Sequence, residues 1–177
     1  ASGAVPEKVS LIRAKRTINS IARAANQLTV IYTGADFNVG QLVRIFGCSE
    51  ASFNGVYRID VSANDVSNTL VLTSYGPDVT NASVTTKGYL GGHYDKLSTW
   101  QADFGGTSGN LTAQNRRATA VCYDDWAGGL DDTVTIRGWN TDATRYVTVT
   151  AALGDRHNGT PGAGFWMTDT LTRGIVT

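Results

Sequence analysis

The sequence predicts an all-β chain: a small β-barrel or sandwich module followed by a second β-rich module. Three observations carry this. Short runs of Val, Ile, Thr and Tyr recur along the chain, four to eight residues at a time, as half-buried strands do. Twenty glycines against three prolines, with many Asn, Asp and Ser between the runs, supply tight turns. No segment sustains a 3.6-residue apolar period long enough to compete as a major helix.

The elements follow in order. Residues 1–17 are polar and basic, with Lys8, Arg13, Lys15 and Arg16, and read as an N-terminal arm: a short helix, a frayed extended end or a clamp onto a neighbour. Residues 18–87 form the first module. Its strand runs are Leu28-Thr29-Val30-Ile31-Tyr32, Val39 to Phe46, Val56 to Val61, Thr69 to Thr73, and residues 82–86 as a closing strand. Within the third run Tyr57, Ile59 and Val61 alternate with Arg58 and Asp60, which places the three apolar residues on one face. Gly88-Tyr89-Leu90-Gly91-Gly92 reads as a boundary between modules.

Residues 93–177 form the second module. Residues 94–102 are the best helix candidate, because Leu97 and Trp100 stand three apart and share a face. Strands are expected at 118–123, 133–137, 146–150 and 165–167, separated by Gly-, Asp- and Asn-rich turns of unequal length. Short strands with such loops are how turns of a parallel β-solenoid read. One solenoid turn cannot bury its own apolar face. The chain stops at Thr177 after about one, so Val134, Ile136, Val147, Val149, Phe165 and Trp166 require further cover. That cover is a further C-terminal portion, a symmetric partner or the first module folding back; on the partner reading Val149, Phe165 and Trp166 are the candidate assembly interface, and the chain is expected to be oligomeric.

Composition narrows the function. Fifteen basic residues balance fifteen acidic ones at a pI near 7, so there is no general pull toward nucleic acid or an anionic membrane. No apolar run approaches the roughly 20 residues of a bilayer-spanning helix. The opening ASGAVPEKVS lacks the apolar core of a secretory signal, so none is expected there. Cys48 and Cys122 cannot make a four-cysteine metal site and are expected to be reduced and partly buried.

Candidate chemistry is sparse. His93 and His157 are the only histidines and have no metal-ligand spacing. His157, in Asp155-Arg156-His157-Asn158-Gly159, reads first as a residue that satisfies turn backbone. Asp124, Asp125, Asp131 and Asp132 form the densest carboxylate cluster, read first as solvated turn acids, with a Ca²⁺ site or a glycosidase pair as the alternatives. Trp126, Trp139 and Trp166 with Tyr123 and Tyr146 are core aromatics, sugar-stacking platforms or an interface centre. No nucleophile elbow or phosphate loop is present. No catalytic residue, metal or cofactor is expected.

Two stretches resemble known families. Residues 18–73 resemble a small β module of bacteriophage structural proteins. The shared features are Arg23-x-x-Asn26-x-Leu28-Thr29-Val30, Phe37-Asn38-Val39-Gly40-Gln41-Leu42-Val43-Arg44-Ile45 and Ser52-Phe53-Asn54-Gly55-Val56-Tyr57. Residues 94–166 resemble the opening segment of right-handed parallel β-helix proteins of phage tails and bacterial surfaces. There the match lies in Tyr94 to Trp100, Val121-Cys122-Tyr123-Asp124-Asp125, residues 133–146 and Asp155-Arg156-His157-Asn158-Gly159-Thr160. The resemblance implies a non-enzymatic virion structural protein, a capsid decoration subunit or the base of a tail fibre or spike. Its partners would be copies of itself, with a trimer favoured, and capsid or tail proteins. The competing implication is a polysaccharide-binding or depolymerising tail-spike fragment, and a bacterial cell-surface module is a third.

Overall fold

The computed structural model describes residues 4–34, 36–63, 68–104, 109–160 and 163–168, and not the side chains of residues 62 and 63. In chain order the strands and helices are β1 (Glu7–Ile12), β2 (Arg16–Ala24), β3 (Gln27–Tyr32), β4 (Leu42–Phe46), β5 (Gly55–Ala63), β6 (Thr69–Thr73), β7 (Tyr89–Gly92), α1 (Leu97–Phe104), α2 (Leu111–Gln114), β8 (Arg117–Cys122), β9 (Leu130–Asp131), β10 (Val147–Ala151) and β11 (Met167–Thr168). The chain is mostly β, and it divides into two units, Ala14–His93 and a discontinuous unit of Ala1–Arg13 with Tyr94–Thr177.

The continuous unit is a closed antiparallel barrel in the order β2-β3-β6-β5-β4-β7, with β7 pairing back onto β2. Strand alternation fills its interior with Leu28, Val30 and Tyr32 from β3, Leu70 and Leu72 from β6, Val43 and Ile45 from β4, Ile59 from β5 and Leu90 from β7. Strict alternation fails at two bulges, each with a reason. In β2 the buried residues Ile18 and Ile21 are three apart, and the register shift between Ile18 and Ser20 absorbs the extra residue. In β5 a shift between Ile59 and Val61 turns Val61 outward, leaving it 55% exposed. The expected inward row of Tyr57, Ile59 and Val61 therefore ends at Ile59.

Two further expectations change. Residues 82–86 do not form the closing strand; a short 3-10 turn, Asn81–Ser83, lies there instead. The closing strand is β7, within the Gly-rich run read as a boundary. Gly88, just before it, has steric work: a Cβ there, at φ +74°, would lie 2.5 Å from the Phe46 carbonyl oxygen and 2.7 Å from the Cys48 nitrogen. The barrel thus extends past residues 18–87 at both ends, from Arg16 in β2 to Gly92 in β7.

One end of the barrel is closed around a buried cation. Arg23, 2% exposed, donates from Nε to the Pro77 carbonyl (2.8 Å) and from Nη2 to Ser52 Oγ (3.0 Å). Its Nη1 donates to Ser74 Oγ (3.2 Å), and the guanidinium lies 5.1 Å from the centroid of the buried Phe53 ring. At the opposite end of β3, Tyr32 meets buried Phe37 edge-on at 5.7 Å, and its hydroxyl accepts the Phe37 N–H.

In the discontinuous unit, β1, β8 and β10 form a parallel sheet in that order, and β9 pairs β11 in parallel. Residues 7–12 of the expected arm are therefore a paired strand. The helix candidate forms as α1 and buries Leu97, Trp100 and Phe104. Small Ala118, Ala120 and Cys122 on β8 share a core with those aromatics, Ile12, Leu111 and Leu130. Residues 133–137, expected as a strand, lie in no ladder among the described residues, and the last strand is displaced to β11. The structure does not establish a parallel β-helix; it shows the parallel pairings just given.

Two turn substitutions test this account by thermal or urea unfolding. The β2–β3 turn places Ala25 at φ 50° and Asn26 at φ 63°, a geometry that disfavours alanine. Ala25→Asn is expected to stabilise the barrel by about 0.5–1 kcal/mol, and Gly88→Ala to destabilise it by roughly 2–4 kcal/mol. A neutral Gly88→Ala would contradict the close backbone approach before β7.

Candidate assembly surface

The outer edge of β10 is a surface of the discontinuous unit. Ala118 N–H donates to the Tyr146 carbonyl, and Ala152 N–H to the Cys122 carbonyl. Parallel alternation then turns the backbone groups of residues 146, 148, 150 and 152 toward β8, and those of Val147, Val149 and Ala151 outward. Among the described residues no strand pairs on that outward side. Val149 stands in a row with Ala120 and Ser10 on the core-side face and is 42% exposed. Leu153, in the turn just after β10, is 82% exposed and was not singled out by the sequence reading. Its only sequence signal is an apolar residue inside a Gly/Asp turn.

The three candidate interface residues fall in two places. Val149 belongs to the three-stranded sheet, whereas Phe165 and Trp166 precede β11. Phe165 is half-buried and packs on the core, and its N–H donates to the Asp155 carbonyl (2.7 Å). Trp166 is 42% exposed and lies against Gly129, where a Cβ would fall 2.9 Å from the indole. Of the aromatics weighed earlier, Trp139 stacks on buried Trp100 at 5.3 Å and donates from Nε1 to Gln101 Oε1 (2.7 Å).

The carboxylates have separate occupations. Asp125 makes a two-pronged ion pair with Arg13, Nε to Oδ2 at 2.9 Å and Nη2 to Oδ1 at 3.2 Å, with side-chain exposures of 5% and 3%. The Arg13 guanidinium also lies 4.2 Å from the Tyr123 ring centroid. Asp132 Oδ2 accepts the Ser98 N–H in the first turn of α1 (2.8 Å), and Asp155 Oδ2 accepts the Asp124 N–H (3.1 Å). Asp131 is exposed on β9. Among the described residues no group of three or more His, Cys, Asp or Glu is placed to hold a metal. His157 is exposed, and its Nδ1 accepts the Gly159 N–H (3.0 Å), a turn contact.

Cys48 and Cys122 are both free and buried. Burial, and secondarily the charge of Asp132, pushes the Cys122 thiol up to about 12, so it stays protonated and non-nucleophilic at neutral pH. A cleft of about 560 Å³ runs beside α1, lined by Ser98, Gln101, Thr133, Thr135 and Arg137 among others. Its described lining has hydroxyl, amide and guanidinium groups but no carboxylate or imidazole.

Fold and surface define a mostly β protein with a closed barrel in one unit and, in the other, a parallel sheet whose β10 edge is unpaired among the described residues. No family model, no curated protein and no solved structure matches this chain.

The buried ion pair yields a test. Removing one partner leaves a buried charge unpaired, so Arg13→Met or Asp125→Leu alone is expected to cost about 3–5 kcal/mol. The double substitution should recover most of that loss. Equal, additive losses in a double-mutant cycle would show that the two groups are not coupled.

Proposed function

We propose that this chain is a non-enzymatic structural subunit of a bacteriophage virion, either a capsid decoration protein or the base of a tail fibre or spike. It works by symmetric association, most simply as a trimer, and its other partners are capsid or tail proteins. The barrel is the attachment module. The parallel pairings β8–β10 and β9–β11 are the opening turn of a right-handed parallel β-helix. The motif resemblance supports the phage setting, and a chain that carries both a closed barrel and successive parallel pairings is consistent with it.

The single observation that carries the assembly reading is the outer edge of β10. It combines outward N–H and C=O groups on Val147, Val149 and Ala151 with a half-exposed Val149 and a largely exposed Leu153. Such an edge is a template for pairing with another strand. The two exposed aliphatics add apolar area that association can bury.

Proline scanning tests it, because alternation makes neighbouring positions opposite in effect. Val149→Pro removes an outward N–H and leaves the β8 ladder intact, so it is expected to weaken association about tenfold or more with little loss of monomer stability. Thr148→Pro removes an inward N–H and is expected to unfold the unit. Light scattering across a concentration series reads the first effect and thermal melting the second. A wild-type chain that is monomeric at high micromolar concentration would sink the reading.

A further inference from the structure

The three parallel strands of the discontinuous unit start at the same end, and two cations meet there over one ring. Lys8 lies on the core-side face of β1, in a row with Ala118 and Val147. Its Nζ sits 4.1 Å from the centroid of Phe104, which is 7% exposed. Arg116, the residue before β8, brings its guanidinium to 5.9 Å from the same centroid. Both side chains are half-buried.

Among the described residues no carboxylate lies within ion-pairing distance of Lys8 or Arg116. Arg116 Nε is buried and has no hydrogen-bond partner. Asp103, the residue before Phe104, is exposed and makes no ion pair with either cation among the described residues. Glu7, on the opposite face of β1, accepts from Thr119 Oγ1, and Asp142 pairs with Arg145. Burial, and then the Arg116 charge, lower the pKa of Lys8. The Phe104 face attracts each cation but carries no net charge to offset the repulsion between them, and a buried N–H without an acceptor is destabilising. A water could satisfy the N–H but could not offset the two charges. An oxyanion does both, and the planar guanidinium is suited to it.

We propose that Lys8 and Arg116 form an oxyanion site over Phe104, which takes a carboxylate, sulfate or phosphate group. This site stands independently of the assembly reading.

The probe is sodium sulfate, titrated against sodium chloride at matched ionic strength and followed by NMR of the Arg116 Nε–H and by thermal melting. The expected result is a saturable shift of that resonance and a saturable rise in Tm with sulfate. Lys8→Gln and Arg116→Gln should each weaken sulfate binding about tenfold or more, without lowering Tm in chloride. If sulfate instead stabilises wild type and both variants alike and without saturation, it acts only as an excluded salt and the proposal is overturned. The absence of a saturable Nε–H shift in the wild type would overturn it as well, a readout that holds even if a variant fails to fold. Light scattering of the two Gln variants separates the sources. Reduced association assigns the oxyanion to a carboxylate of a second copy, and unchanged association to a free or saccharide-borne anion.

Discussion

Every strand presents two rows of backbone N–H and C=O groups, and each buried row must find partners; this requirement organises the whole chain. The barrel meets it by closure, with β7 joining β4 to β2 so that the six-stranded sheet has no edge. The parallel sheet meets it unevenly. β8 is paired on both sides, and the outer edge of β1 is partly covered because Tyr94 N–H donates to the Leu11 carbonyl and Arg13 N–H to the Tyr94 carbonyl. The remaining row, on β10, pairs with no other strand among the described residues.

Two buried arginines show two ways of keeping a charge out of water. Arg23 spreads its positive charge over carbonyl and hydroxyl oxygens at the end of the barrel, with the Phe53 ring beneath it. A Cβ on Gly76 would lie 2.7 Å from that guanidinium, which explains a glycine there. Arg13 takes the other route, a paired carboxylate on Asp125. The first solution joins β2 to the loop after β6, and the second joins the residue after β1 to the loop after β8. Both arginines thus connect segments distant in sequence.

Much of this was legible where local pattern determines structure. The alternating runs around Val30, Val43 and Leu72 became barrel strands, and the Leu97–Trp100 spacing became the face of a helix. The losses have physical causes. A bulge leaves no clear mark in composition, so Val61 read as inward until the shift at Asp60 turned it out. Glycines in the 88–92 run suggested a linker, although a close-packed strand can demand glycine for the same conformational freedom. β1 was hidden because its partner is parallel and more than a hundred residues away, beyond any periodicity test. The carboxylate cluster was dense in sequence yet dispersed in space, since Asp125 turns to Arg13 and Asp132 to the α1 backbone. Val149 and Trp166 were recognisable as under-covered apolar residues; Phe165 was not distinguishable from them without knowing what it packs on.

The discontinuity of the second unit bears on how the chain is made. A ribosome delivers β1 first, then the entire barrel, and only afterwards β8. Arg13 and Asp125 are 112 residues apart, and at about 5–20 residues per second the interval between them is roughly 6–22 s. Throughout that time Leu11 and Ile12 lack β8 to pair with, whereas the barrel has all six of its strands once Gly92 has been made. Translation therefore favours a nested order, in which the inserted barrel is complete while Leu11 and Ile12 of its host unit still wait for β8. The period of greatest exposure to chaperones and proteases belongs to the nascent chain, before β8 has left the exit tunnel.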